Sequence, residues 1–85
     1  MSVPPDIGAQ VRQVLRRHLP LLPKDQEIKS DAELDKLGLD SVAVMNLIVD
    51  LEQTFGIVMP DELLQMETFQ TQATIEAGLR KVLQQ

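Results

Sequence analysis

The chain predicts an all-α fold: a small four-helix bundle with a long loop between helices one and two and a short third helix. Three observations lead there. Apolar residues recur at spacings of three and four, and no stretch alternates apolar with polar residues for long enough to require a strand. The breakers Pro20, Pro23, Gly56 and Pro60 fall between the periodic stretches. Only Phe55 and Phe69 are aromatic, so the core must come from Leu, Val, Ile and Met, which suit packed helices. Residues 1–85 form one domain. A chain of this size buries about 60 to 65% of its extended surface and has little room for a deep cleft.

The first helix follows Pro4-Pro5-Asp6, with Asp6 available as a cap. Ile7, Val11, Val14 and Leu15 mark its inward stripe and leave Arg12, Arg16 and Arg17 toward water. It stops before Pro20. Leu19-Pro-Leu-Leu-Pro23 breaks regular structure, and Lys24 to Lys36 holds no run able to sustain more than a turn or two of helix. A loop this long in a small domain is functional or pinned by apolar anchors, here Leu22, Ile28, Leu34 and Leu37.

The second helix is expected from Ser41 to about Phe55, with Gly56 as a left-handed cap. Val44, Leu47, Ile48, Leu51 and Phe55 form its inward stripe. Val42, Met45 and Val49 form a second apolar stripe, which either packs on another element or is left exposed for a partner. Ile57-Val-Met-Pro60 is a short extended link, and Asp61 caps a brief third helix reaching Leu64 or Met66. The last helix starts near Thr71 to Thr74 and runs through Ile75, Leu79, Val82 and Leu83.

Net charge is −5, unevenly distributed. Residues 37–79 hold seven acids (Asp40, Asp50, Glu52, Asp61, Glu62, Glu67, Glu76) and no base. Nucleic acid is a poor partner for such a surface, and a protein with a basic patch is a better one. The absence of cysteine excludes disulfides, thiolate metal sites and a cysteine nucleophile, and fits a reducing compartment. No apolar run approaches the roughly 20 residues of a membrane span, and Met1 to Pro5 lacks the regions of a signal peptide. A soluble, cytoplasmic monomer without a membrane partner is expected.

The catalytic inventory is thin. His18 is expected to be a solvated residue at the end of the first helix, with nothing placing it beside Ser41. Asp31-Ala-Glu-Leu-Asp35 alternates like a calcium loop, but Lys36 and Val42 stand where such a loop needs glycine and glutamate, so no metal site is expected. Asp50 with Glu52, and Asp61 with Glu62, read as solvated carboxylates. No catalytic residue is assigned.

Leu37-Gly-Leu-Asp-Ser41-Val lies at the loop-to-helix junction. As a structural device, Asp40 or Ser41 accepts from a free amide of the helix, worth about 1 kcal/mol, and Gly38 supplies the turn. No Glu or Gln completes a capping box. Alternatively, Ser41 is an acceptor for another enzyme, because a phosphodiester there would sit in the favourable field of the helix N-terminus. The residues alone leave both readings open.

That junction, the helix Ala43 to Phe55, the following Gly56-Ile-Val-Met-Pro-Asp-Glu62 and the closing helix together resemble the acyl carrier protein family, including its peptidyl and aminoacyl carriers. The resemblance covers nearly the whole chain and rests on an ordered set of motifs. It implies that Ser41 carries 4'-phosphopantetheine, transferred from coenzyme A by a phosphopantetheinyl transferase, whose thiol holds cargo as a thioester. It also implies a protein that is no enzyme. Asp40 positions the serine; Val42, Met45, Val49 and Glu52 face partners; Met59 and Glu62 border that face. The implied partners are a loading ligase for acyl or aminoacyl groups, a ketosynthase, an acyltransferase or a condensation-type enzyme. Val42 departs from the usual leucine. Asn46 and Gln53 stand where fatty-acid carriers have acids, which leaves Asp50 and Glu52 and implies weaker steering by charge. The expected function is an acyl carrier of polyketide or related specialised biosynthesis. The alternatives are an aminoacyl or peptidyl carrier of a nonribosomal pathway, and an unmodified helical interaction module in which Ser41 only caps.

Overall fold

A computed structural model describes residues 5–23 and 25–84. Three α-helices, α1 (Ile7–Arg16), α2 (Ser41–Phe55) and α3 (Gln72–Leu83), pack around one apolar core. Short 3-10 turns at Leu34–Leu37, Asp61–Leu63 and Met66–Phe69 complete the regular structure, and no strand occurs among the described residues.

The expected stripes become the core. Ile7, Val11, Val14 and Leu15 of α1, Val44, Leu47 and Leu51 of α2, and Ile75, Leu79 and Leu83 of α3 are buried. Ile48 and Phe55 are half-buried at its margin. Asp6 does not cap α1 through its side chain; its Oδ1 accepts instead from Gln10 Nε2 at 3.1 Å. α3 opens with a reciprocal cap that needs no glutamate. Thr71 Oγ1 accepts from the Thr74 amide, and Thr74 Oγ1 accepts from the Thr71 amide, both at 3.1 Å.

The long loop is stitched down along its length. Leu19, Ile28, Leu34 and Leu39 are buried, and Leu22 and Leu37 are half-buried. The Leu34 amide donates to Gln70 O at 2.9 Å, and the Ala73 amide donates to Ser30 O at 3.0 Å, tying the loop to the start of α3. Its last turn ends on Gly38, whose φ of 101° is left-handed. A side chain there would also lie 2.8 Å from Pro20 Cγ, so both the backbone and the space require glycine.

The third helix is corrected: Asp61 to Phe69 forms two 3-10 turns separated by the extended Gln65 (φ −131°, ψ 154°), so among the described residues three α-helices build the fold where four were expected. Phe69 is buried and Leu63 is half-buried against Gly78. Six residues on a continuous α-helix turn through about 600°, which would point these two side chains about 120° apart. The break at Gln65 lets both face the core, and hydrogen bonds of the i→i+3 kind hold each half, such as Thr68 N to Gln65 O at 3.1 Å.

Candidate functional site: the N-terminus and outward face of α2

The choice between Asp40 and Ser41 as the cap of α2 is settled by geometry. Asp40 is extended (φ −93°, ψ −175°), and its Oδ1 accepts from the Ala43 amide at 2.8 Å. Ser41 is then the first helical residue. It is exposed, and among the described residues its hydroxyl makes no side-chain hydrogen bond. The hydroxyl therefore stands free at the positive end of the α2 dipole, where a phosphate group is stabilised.

Among the described residues no histidine or acidic side chain is hydrogen-bonded to it. His18, expected to be solvated, is instead half-buried, its side chain 15% exposed, and its Nε2 lies 2.8 Å from Asp50 Oδ2. Because a carboxylate only accepts, that nitrogen donates. Asp50 is nine residues beyond Ser41, about 14 Å along the helix axis. Arg17 Nη1 donates to both Asp50 oxygens at 2.9 and 3.1 Å, and Thr54 Oγ1 donates to Oδ1 at 3.3 Å. Burial pushes the Asp50 carboxyl upward, but the hydrogen bonds and charges of His18 and Arg17 outweigh it and hold it below the usual carboxylate range. Asp50 is thus no solvated surface acid; it clasps the end of α1 to the middle of α2.

The second apolar stripe is exposed: Val42 is 67%, Met45 68% and Val49 52% accessible. The residues read with it divide. Glu62 is exposed in its 3-10 turn. Glu52 is half-buried and turned back, its Oε2 accepting from the Met59 amide at 2.8 Å. Met59, expected to border the partner face, is instead a core residue, only 5% exposed. The extended link after Gly56 alternates its side chains, so Val58 points out and Met59 points into the core.

One feature was not legible in the sequence. Leu39, Val44, Met66 and Phe69 line a groove of about 420 Å³ whose rim includes Asp31, Glu33 and Asp35. Two of its lining residues, Leu39 and Val44, stand two positions before and three positions after Ser41 in the chain. It is assembled from two stretches far apart in the chain, residues 31–44 and 66–71, and no local pattern announces it. Among the described residues no cluster of His or acidic side chains suits a metal, and no helix is long and apolar enough to cross a membrane.

An exposed serine at a helix N-terminus, with its cap supplied by the preceding aspartate, fits a covalently attached phosphodiester arm. The comparisons agree with that geometry. Residues 9–77 match the family described as the phosphopantetheine attachment site. An aminoacyl carrier protein of Agrobacterium fabrum is 30% identical over 77 residues, covering 91% of this chain and 93% of that protein. An acyl carrier protein of Zymomonas mobilis is 30% identical over 57 residues, covering 67% and 72%. The non-reducing polyketide synthase pigA of Monascus ruber is 40% identical over 67 residues, which are 78% of this chain but 2% of that synthase. In structure, the chain is similar to the carrier protein from Agrobacterium tumefaciens complexed with an engineered Bradyrhizobium japonicum glycine:[carrier protein] ligase and ATP. The TM-score is 0.79 and the identity 31%, covering 89% of this chain and 99% of that one.

The chain belongs to the phosphopantetheine-binding carrier proteins. Members bear 4'-phosphopantetheine covalently and carry cargo for enzymes without catalysing a reaction themselves.

Proposed function

We propose that Ser41 is the attachment point and that the chain presents aminoacyl or related acyl groups to partner enzymes from the outward face of α2. The observation that carries this reading is the division of labour at the junction: Asp40 takes the cap, which leaves the Ser41 hydroxyl exposed and unbonded. Gly38 turns the loop so that Asp40 enters the helix extended, and Asp40 then holds the first turn in place. The N-terminal amides of α2 favour the charge of a phosphodiester on Ser41. The arm supplies a thiol on which cargo is held as a thioester. Val42, Met45 and Val49, with Glu62 at the edge, form the surface that a transferase or loading enzyme meets; Glu52 and Met59 support it from within.

Similarity across nearly the full length of an aminoacyl carrier, and to a carrier seen with an engineered glycine:[carrier protein] ligase and ATP, supports an amino acid as cargo and an ATP-dependent ligase as the loading partner. The 40% identity to a segment of a polyketide synthase supports the second reading, an acyl carrier in polyketide assembly with ketosynthase and acyltransferase partners.

Incubation with coenzyme A and a broad-specificity phosphopantetheinyl transferase, followed by intact mass measurement, tests the site. A gain of one arm is expected, and none in Ser41→Ala. An arm acquired by Ser41→Ala, or no gain with several transferases on folded protein, overturns the assignment. Offering the modified protein to a glycine:[carrier protein] ligase with ATP, or to a malonyl-transferring enzyme with malonyl-coenzyme A, separates the two cargo classes.

A further inference from the structure

The chain has no cysteine and four methionines, so before any arm is attached its readily oxidised sulfur is thioether sulfur alone. The structure sorts the three methionines it describes by access. Met59 is buried at 5% exposure, whereas Met45 and Met66 are open at 68% and 62%. Thioether oxidation follows access, because the oxidant must reach the sulfur lone pair from solvent. Met45 and Met66 are therefore reactive, and Met59 is shielded. Of the two, Met45 stands beside Ser41. It is four residues further along α2, one helical turn, and helix side chains lean toward the N-terminus, so its thioether lies over the turn that Ser41 opens. Met66 lies instead on the 3-10 turn Met66–Phe69, at the edge of the groove.

We infer that Met45 is an oxidation site, with a hydroperoxide as co-reactant, and that its sulfoxide obstructs the transferase that approaches Ser41. With hydrogen peroxide, the sulfur donates an electron pair to one peroxide oxygen and the O–O bond breaks as the S–O bond forms. The departing hydroxide takes a proton and leaves as water, so the thioether loses the two electrons that the peroxide gains. The product is a polar acceptor in the middle of an apolar stripe. An enzyme covering that stripe buries the new oxygen beside Val42 and Val49, whose side chains offer no donor. Enzymatic reduction of the sulfoxide restores the thioether, so the block is reversible. Arm attachment then stops under the oxidising conditions that would also consume the arm's thiol. This inference rests on the proposed attachment at Ser41.

The test treats the unmodified chain with hydrogen peroxide, places each added oxygen by peptide mass mapping, and then measures arm attachment with coenzyme A and a broad-specificity phosphopantetheinyl transferase. Met45 and Met66 should gain oxygen about tenfold or more faster than Met59. Once Met45 is oxidised, the attachment rate should fall about fivefold or more, as one buried acceptor without a donor would cause. Methionine sulfoxide reductases should restore it. Met45→Leu, compared with its own untreated sample, should lose the sensitivity to peroxide, and Met66→Leu should keep it. Met59 oxidising as fast as Met45, an unchanged rate after Met45 oxidation, or sensitivity retained in Met45→Leu overturns the inference. Binding of Ser41→Ala to the same transferase, immobilised, is read before and after peroxide. Weakened binding with no arm gained by the untreated, unsubstituted chain overturns the Ser41 assignment and leaves the Met45 inference standing; binding that is absent, or that peroxide leaves unchanged, overturns the Met45 inference.

Discussion

Asp40 and Ser41 are adjacent, yet only Asp40 caps the helix, and single substitutions should separate the cap from the proposed attachment point. Asp40→Ala removes the acceptor of the Ala43 amide and should cost about 1 kcal/mol in denaturant unfolding. Ser41→Ala removes an exposed hydroxyl with no side-chain bond among the described residues. It should move stability by less than about 0.5 kcal/mol while abolishing attachment of the arm. Met59 and Val49 offer a second contrast. Met59→Ala empties a core position and should cost about 2 to 5 kcal/mol, whereas Val49→Ala, half exposed, should stay within about 0.5 kcal/mol. Equal costs for the two would show that Met59 is not packed beneath α2.

Among the elements, α1 and α2 are joined by the Arg17–His18–Asp50 clasp as well as by apolar packing. The Asp50 carboxyl titrates below its ordinary value of 3.8 in the folded chain. A carboxylate lowered by folding contributes stability that is complete above its unfolded value and is lost as pH falls through its folded one. Unfolding scans from about pH 5 to about pH 2.5 should therefore show an acid-side loss that Asp50→Asn lacks. An identical acid limb in both proteins would count against the clasp. The element boundaries carry a further pair of predictions. Gly38→Ala meets both a left-handed φ and Pro20 and should cost about 1 to 3 kcal/mol, while Gly56→Ala, with φ 64° and open space around it, should cost about 1 kcal/mol. The inward stripes of the three α-helices were legible because a period of 3.6 residues needs only local sequence. The third helix was misread because Asp61 to Met66 offers a cap and leucines but does not reveal that Leu63 and Phe69 must face the same core.

On the scale of the whole molecule, the proposed attachment point Ser41 is exposed and lies outside the packed core. The apo and modified proteins should accordingly unfold within about 2 °C of each other in calorimetry. A larger rise would show the arm packed against the body, for which the groove between Leu39, Val44, Met66 and Phe69 is the available seat. The sequence by itself determined the all-α class, the inward faces of the helices, the left-handed cap at Gly56, the turn at Gly38 and the Asp-Ser junction, since each rests on periodicity, a cap or backbone freedom within a few residues. Only the tertiary structure decided which acids of α2 remain free and whether Met59 is inside or out. Asp50 meets Arg17 and His18 from 33 and 32 residues away, and that meeting depends on how α1 packs on α2, which no local pattern encodes. For the same reason Asp40, and not Ser41, holds the cap: both residue types can accept that bond, and only the extended backbone at Asp40 aims its carboxylate at the Ala43 amide.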